Sequence, residues 1–391
     1  MAFIPYSRQS VSEEDVAAVV AVLRSDFLTQ GPTVPGFEHA FAELHGVEHA
    51  VAVSNATAGL HIACLALGVG PGSRVWTSPN SFLASANCAL YCGAVVDFVD
   101  IDPATRNMSV ARLSEKLVAA KRMGVLPDVV IPVDFSGLPC DLREIRGLAD
   151  EHGFKVLEDA SHATGATYLD KPVGSAWSDA TVFSFHAVKI VTTGEGGMVT
   201  TNDAALAYKL RLLRSHGMTR VVEELEGRAE GAWYYEQQLL GFNHRMTDLQ
   251  AALGTAQLKR LSEAHERRVA LAARYDLILE ALPLIRPCRL PDRVSSWHLY
   301  AVEIDGDRCP VSRARVFEVM RAAEIGVNVH YIPIHLQPHY RRLGFQVGGW
   351  PAAEHYYARA ISLPLFPDMT DEQQDRVVDV LRGALGEAGT R

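Results

Sequence analysis

FSFHAVKIVTTGEGGMVTTND, residues Phe183–Asp203, sets one lysine, Lys189, between an aromatic strand and a cluster of glycines. An amine that ends an apolar strand, with Thr192, Thr193, Gly194, Gly196 and Gly197 after it, is costly to bury as an ammonium unless its charge is offset or the nitrogen is bonded. Schiff-base chemistry with an aldehyde cofactor removes that cost. Snorkelling to solvent from a strand edge is the commoner fate of a lysine. The residues that the rest of the chain gathers around Lys189 decide between the two.

Working outward, the runs HAVAVS, RVWTSP, AVVDFVDI, VVIPVDF, KVLEDA and ATVFSF each precede a loop or a helical stretch. Near-continuous apolar strands between amphipathic helices predict an α/β domain with a mostly parallel sheet covered on both faces. Functional side chains then belong at the carboxyl ends of the strands. After about Asn243 the pattern turns to long helices, beginning near Thr247 with DLQAALGTAQLKRL. SSWHLYAVEI reads as a strand, VSRARVFEVMRAAEI as a helix, and the segment from Thr370 to Leu385 as a closing helix with a threonine N-cap. The expected division is a large domain over 1–245, with an N-terminal arm, and a smaller α+β domain over 246–391.

Three of the strand ends carry chemistry-bearing residues. KVLEDASH ends in Glu158, Asp159 and His162; strand alternation sends the two carboxylates to opposite faces, so one at most faces a ligand. Asp159 beside a protonated ring nitrogen would strengthen the ring as an electron sink, and the competing account makes it a cap for the next segment. Ser54 and Asn55 precede a helix that opens with Ala56, Thr57 and Ala58, a start suited to a phosphate or to plain capping. Phe82 follows a Pro79-Asn80 turn and is either a platform for a planar cofactor or part of the core.

Composition narrows the classes. A formal charge of −9 over 391 residues disfavours a nucleic-acid binder, which displays a basic face. The N-terminus lacks a basic segment followed by an apolar core, and no window approaches a membrane span, so a soluble cytoplasmic protein is expected. Cys64, Cys88, Cys92, Cys140, Cys288 and Cys309 match no common zinc spacing and read as buried free thiols. His330, His335 and His339 lie close in sequence, but Pro333 and Pro338 interrupt them and no cysteine joins; no metal is expected.

With these residues in place, the chain resembles the DegT/DnrJ/EryC1/StrS family of pyridoxal-phosphate (PLP)-dependent nucleotide-sugar aminotransferases. The resemblance runs through SDFLTQGPTVPGFE, SNATAGLHIACLALGVGPG, PNSFLASANCALYCGA, LEDASHATGA, FSFHAVKIVTTGEGG, GFNHRMTDLQAALG, HYIPIHLQPHY and AISLPLFPDMT. It implies PLP-dependent transferase fold type I, the aspartate aminotransferase-like fold. It implies that Lys189 bonds the cofactor aldehyde, that Asp159 pairs with the pyridine nitrogen, and that His162 stands near the ring oxygen. Phe82 is implied to stack on the ring, Ala56, Thr57 and Ser184 to hold the phosphate, and Asn243 to reach the phosphate of a neighbouring subunit in a homodimer.

For substrates the resemblance implies L-glutamate as amino donor and the C4 ketone of a UDP-linked 4-keto-6-deoxy-N-acetylhexosamine, as in pseudaminic acid synthesis, as acceptor. Another UDP- or dTDP-linked 4-keto sugar is the runner-up, and a non-catalytic cofactor-binding homologue a more distant one. Candidate sugar-nucleotide contacts are Phe27, Thr29 and Gln30, Trp233 and Tyr234, and His330 and Tyr331; Arg245 would bind the donor carboxylate or secure the dimer. Packing accounts for Trp233 and Tyr234 equally well, and a structural role for His330. Two positions depart from the family pattern, Ala56 where glycine is common and Ala187 where proline is common. Lys189 argues against the dehydratase branch of the family, which holds histidine there.

Overall fold

The computed structural model describes residues 2–386. A seven-stranded sheet forms its centre. The strands are β1 (His49–Val53), β2 (Arg74–Thr77), β3 (Val95–Phe98), β4 (Val129–Ile131), β5 (Lys155–Asp159), β6 (Ala180–Ser184) and β7 (Gly197–Thr201), in the order β1-β7-β6-β5-β4-β2-β3. Neighbours from β6 through β3 pair in parallel. β7 runs antiparallel to both β1 and β6, so the glycine-rich stretch after Lys189 returns as a strand rather than continuing as loop. The mostly parallel sheet expected from the apolar runs is therefore present, with one reversed strand inside it.

Both faces are covered over most of the sheet, which is why the strands are mostly apolar, with Val95 of the edge strand β3 left exposed. Val53, Val182, Val199, Val75 and Ile131 meet α3 (Ala56–Ala66), α4 (Ala84–Tyr91) and α7 (Ala204–Arg214) through Leu60, Cys88 and Leu210. On the opposite face, Phe183, Phe185 and Met198 pack with Phe37 and Phe41 of α2 (Thr33–His45). Farther along that face, Trp76, Val130 and Val156 meet Leu113 and Leu117 of α5 (Val110–Met123) and Ile145 of α6 (Leu142–His152). Burying a side chain of this size contributes about 1.5–3 kcal/mol. All six cysteines are free thiols, five of them buried and Cys288 half-buried.

A second core surrounds a three-stranded antiparallel sheet of β8 (Leu284–Ile285), β9 (Tyr300–Ile304) and β10 (Ala360–Leu363). It recruits Leu271 and Tyr275 of α9 (Leu261–Ile278), Val316 and Met320 of α10 (Arg313–Ala322), and Val377 and Leu381 of the closing helix, Asp371–Ala384. Thr370 caps that last helix and accepts from the Gln373 amide. Ile4 also joins this core, bridging Ile325. α8 (Asp248–Leu258), on the small-domain side of the expected division, places Ala251 in the core built around Phe37 and Phe41. No helix among the described residues is long and apolar enough to cross a membrane.

Candidate active site

Asp159 closes β5 and is buried. Its Oδ2 accepts from Ser85 Oγ at 2.6 Å, and its Oδ1 from the amide and hydroxyl of Ser161 at 3.1 and 2.5 Å. The carboxylate therefore caps its own turn and also faces α4, so the two accounts of it are compatible. No basic side chain forms an ion pair with it among the described residues. Glu158, one residue earlier, points through the sheet as alternation requires and accepts from Thr181 Oγ1 at 2.7 Å.

Lys189 is not on a strand end. β6 stops at Ser184, and the lysine lies five residues on, in a turn closed by its own amide donating to His186 O at 2.9 Å. The Thr193 amide donates to Phe185 O at 2.9 Å across the neck of this loop, and Ser7 Oγ donates to Val188 O at 3.3 Å. Three separate contacts thus fix the turn without the proline that Ala187 replaces. Lys189 is half-buried by its own surface, yet its surroundings are dry enough for desolvation to lower its pKa to about 7, against an opposing pull from Asp159. A near-neutral amine at physiological pH is a competent base and nucleophile.

A wall of rings borders the lysine. His162 is buried, and its Nδ1 accepts from the Ser136 amide at 3.2 Å. An amide can only donate, so a neutral His162 carries its proton on Nε2, which donates to Tyr331 Oη at 3.1 Å. Desolvation, reinforced by Lys189, keeps the ring neutral. The two ring planes lie 21° apart. His330 closes the next position with Nδ1 2.8 Å from Ser362 Oγ, and burial beside Lys189 lowers its pKa to about 3. Phe82, exposed by 58%, has its ring 6.3 Å from that of Tyr331. A large aromatic left open beside a buried polar cluster suits a flat ligand.

The phosphate end is built by α3. Asn55 Oδ1 caps the helix by accepting from the Ala58 amide at 2.8 Å, while the Ala56 and Thr57 amides donate to no partner among the described residues. Gly197 passes so close that a Cβ there would lie 2.8 Å from Ala56 N; glycine is what lets β7 approach the helix start. Ser184 is buried at the end of β6 on the next strand over. Free amides at a positive helix end, a buried carboxylate without a cation, an open aromatic and a near-neutral lysine together fit the parts of pyridoxal phosphate.

The remaining sequence candidates do not meet in this cluster. Phe27, Thr29 and Gln30 lie on an exposed loop, tied down where buried Asp248 accepts from the amides of Gly31 and Thr33, each at 2.8 Å. Asn243 is exposed, though the neighbouring His244 carbonyl accepts from the Ser54 amide at 2.8 Å and brings that segment beside the start of α3. Arg245 is half-buried, with no ion pair among the described residues. Trp233, exposed by 71%, and Tyr234, whose hydroxyl donates to Glu236 at 3.0 Å, sit on an excursion closed by a short ladder of Met218–Thr219 with Glu236–Gln237.

His298 belongs to the cluster and was not singled out from sequence. It is buried with its ring centroid 4.5 Å from that of His162 and its Nδ1 unpartnered. SSWHLYAVEI reads as strand, but β9 begins only at Tyr300, and Trp297 at φ 51° turns the chain just before it. Nothing local in the sequence marks that turn. His335, by contrast, pairs with Glu354 at 2.9 Å, and no group of potential metal ligands occurs among the described residues.

Comparison with known proteins places the chain among aminotransferases. The model of the DegT/DnrJ/EryC1/StrS aminotransferase family matches residues 9–382. The spore coat polysaccharide biosynthesis protein SpsC of Bacillus subtilis is 40% identical over 383 residues, covering 97% of this chain and 96% of that protein. The structure of Helicobacter pylori PseC, an aminotransferase involved in the biosynthesis of pseudoaminic acid, superposes with a TM-score of 0.88 at 31% identity, covering 98% of this chain and all of that one. A putative sugar aminotransferase of Streptococcus pneumoniae, Spr1654 in its PMP form, gives 0.89 at 28% identity, covering 98% and 99%.

Proposed function

The chain belongs to the DegT/DnrJ/EryC1/StrS aminotransferase family, and from that premise we propose that it transfers an amino group from L-glutamate to the C4 ketone of a UDP-linked 4-keto-6-deoxy-N-acetylhexosamine. It is a sugar aminotransferase that uses pyridoxal phosphate. The observation that carries the reading is the gathering of Asp159 at the end of β5, Lys189 in the turn after β6 and the open start of α3 after β1 at one end of the sheet. The similarity to PseC supports the acceptor. A second reading, in which the acceptor is a different nucleotide-linked 4-keto sugar, is favoured by the 40% identity to a spore coat polysaccharide protein.

Bound here, pyridoxal phosphate supplies an aldehyde for amine exchange and a ring that accepts the electrons of a broken C–H bond. Asp159 would hold the cofactor's ring nitrogen through its negative charge, in a buried site where water cannot screen it. The Ala56 and Thr57 amides would hold the phosphate and so orient the cofactor. Lys189 Nζ takes the proton from the donor's α-carbon and, in the second half of the cycle, gives one to C4 of the sugar; the face it occupies sets the stereocentre. His162, held neutral, orients Tyr331 through Nε2 and leaves the phenol proton free to donate into the site.

We read the assembly as a homodimer whose sites are completed by Asn243 of the neighbouring chain. The exposed apolar side chains of the excursion, Val221, Val222, Trp233 and Tyr235, with Leu240 just after it, support this reading because such a patch on one chain calls for cover. The test is to incubate the enzyme with L-glutamate and each candidate 4-keto sugar nucleotide, and to determine the C4 configuration of the product by NMR. The expected outcome is turnover of the UDP-linked N-acetyl sugar, none with Lys189→Ala, and a dimer mass by light scattering. Preferred turnover of another nucleotide sugar would replace the acceptor, and turnover by Lys189→Ala would remove the mechanism.

A further inference from the structure

A cavity of about 120 Å³ lies beside the Lys189 turn, between the N-terminal segment and one face of α9, and neither Asp159, His162 nor Phe82 lines it. Its walls carry Arg8, Arg260, Arg267 and Arg268 together with Lys189, against Glu263 and Asp368. Helical spacing brings the cations together: 260, 263, 264, 267 and 268 recur at three and four positions and share one face.

The four guanidinium groups are not equally satisfied. Arg260 reaches Asp15 at 2.6 Å, and Arg267 reaches the Met369 carbonyl at 2.6 Å and Asp371 at 3.4 Å. Arg8 is exposed and makes no hydrogen bond or ion pair among the described residues. Arg268 is 1% exposed, and Nη1 donates only to the carbonyls of Trp297, His298 and Leu365, at 3.1, 3.4 and 3.2 Å. Its Nε has no partner and no carboxylate pairs with it. Buried charges are otherwise paired, because carbonyl dipoles alone offset little of the desolvation cost. Desolvation accordingly lowers its pKa to about 10. The two acids on the walls, Glu263 and Asp368, are exposed at the rim, where water screens them.

We infer that this cavity is a binding site for a small dianionic oxyanion, supplied either by inorganic phosphate or by a dicarboxylate, with Arg8 and Arg267 as the reaching ligands and Arg268 as the buried charge that the anion answers. Planar guanidinium forks match both oxyanions by paired N–H donation. The cavity adjoins the catalytic cluster, sharing Lys189 with it but not Asp159, His162 or Phe82, and the inference does not depend on which sugar is aminated.

The test is calorimetric titration of the cofactor-loaded enzyme, at fixed ionic strength, with sodium phosphate and with glutarate, a dicarboxylate that has neither the amine nor the ketone of a substrate. One saturable event per chain is expected with at least one of the two, and the tighter ligand identifies the source. Arg8→Gln and Arg267→Gln should each weaken that event at least tenfold, whereas Arg112→Gln, a change in a solvent-exposed pair with Glu115, should leave it in place. Absence of a saturable event with both ligands overturns the inference. So does an event that survives both Arg8→Gln and Arg267→Gln at full affinity, since it then lies elsewhere.

Discussion

Asp159 meets only hydroxyl and amide donors, Ser85 and Ser161, and none of these brings a positive charge. Asp159→Asn is isosteric and keeps partners for the same two serines, so the fold should persist. What it removes is the fixed negative charge at the ring nitrogen. The expected result is a fall in kcat of at least about 100-fold, on the scale of losing one preorganised electrostatic contact in a dry site, with an unchanged melting temperature. Behind Asp159, Asp134 and Glu158 are both buried and near enough for each to act on the other's charge, and Asp134 Oδ2 and Glu158 Oε1 have no hydrogen-bond partner among the described residues. Burial, and for Asp134 the charge of Glu158, raise both carboxyls above their usual range, so the folded state holds a proton that the unfolded chain releases near pH 4. Stability from this pair is complete below that pH and declines as pH rises toward the raised values. Asp134→Asn replaces the held proton with a permanent amide donor. Its melting temperature relative to wild type should therefore be higher at pH 8 than at pH 5, and a constant offset across that range would show that the pair holds no proton. At this scale the sequence named Asp159 and Lys189 from residue type and neighbourhood alone. It did not name His298 or Asp134, whose roles arise only where separate segments meet.

Among elements, the six apolar runs were legible as strands because burial on both faces leaves few polar positions to confuse them. β7 was not, since Gly194, Gly196 and Gly197 read as loop and only the pairing of Gly197–Thr201 with β1 and β6 makes a strand of the residues that follow. The same pairing explains the glycine that starts it. A Cβ on Gly197 would stand 2.8 Å from both Ala56 N and Asn55 C, backbone atoms with nowhere to go. Gly197→Ala should therefore push the start of α3 away from β7, costing about 1–3 kcal/mol as overpacking and turning the phosphate-binding amides out of line. Thermal unfolding and equilibrium dialysis of the cofactor check the two halves of this expectation. A variant that loses stability but binds pyridoxal phosphate as wild type would show that the amides of α3 are not its phosphate ligands.

Across the whole molecule, two cores are joined by a buried ion triad. Arg106, on the loop after β3, donates to Glu303 Oε1 through Nε and Nη2 at 3.2 and 2.9 Å, and Arg359 donates to Oε2 at 2.6 Å. Arg106 and Glu303 are each 4% exposed at the side chain, and Glu303 lies on β9 in the second core's sheet. The α+β character of the C-terminal part was readable from its helix and strand periods, whereas this junction was not, because nothing in sequence links positions 106, 303 and 359. Glu303→Ala removes the one acid that two arginines share and strands Arg106 as an uncompensated buried charge, which costs about 3–5 kcal/mol. Replacing Arg106, Glu303 and Arg359 together with apolar residues of similar volume should cost much less, because a buried triad barely recovers the desolvation of its own charges. Chemical denaturation of the two variants separates the possibilities. Equal losses would mean that Glu303 acts through packing alone, while the expected gap between them would show that charge balance at this junction holds the smaller core, with Arg268 and His298 at its edge, against the end of the sheet beside which Lys189 works.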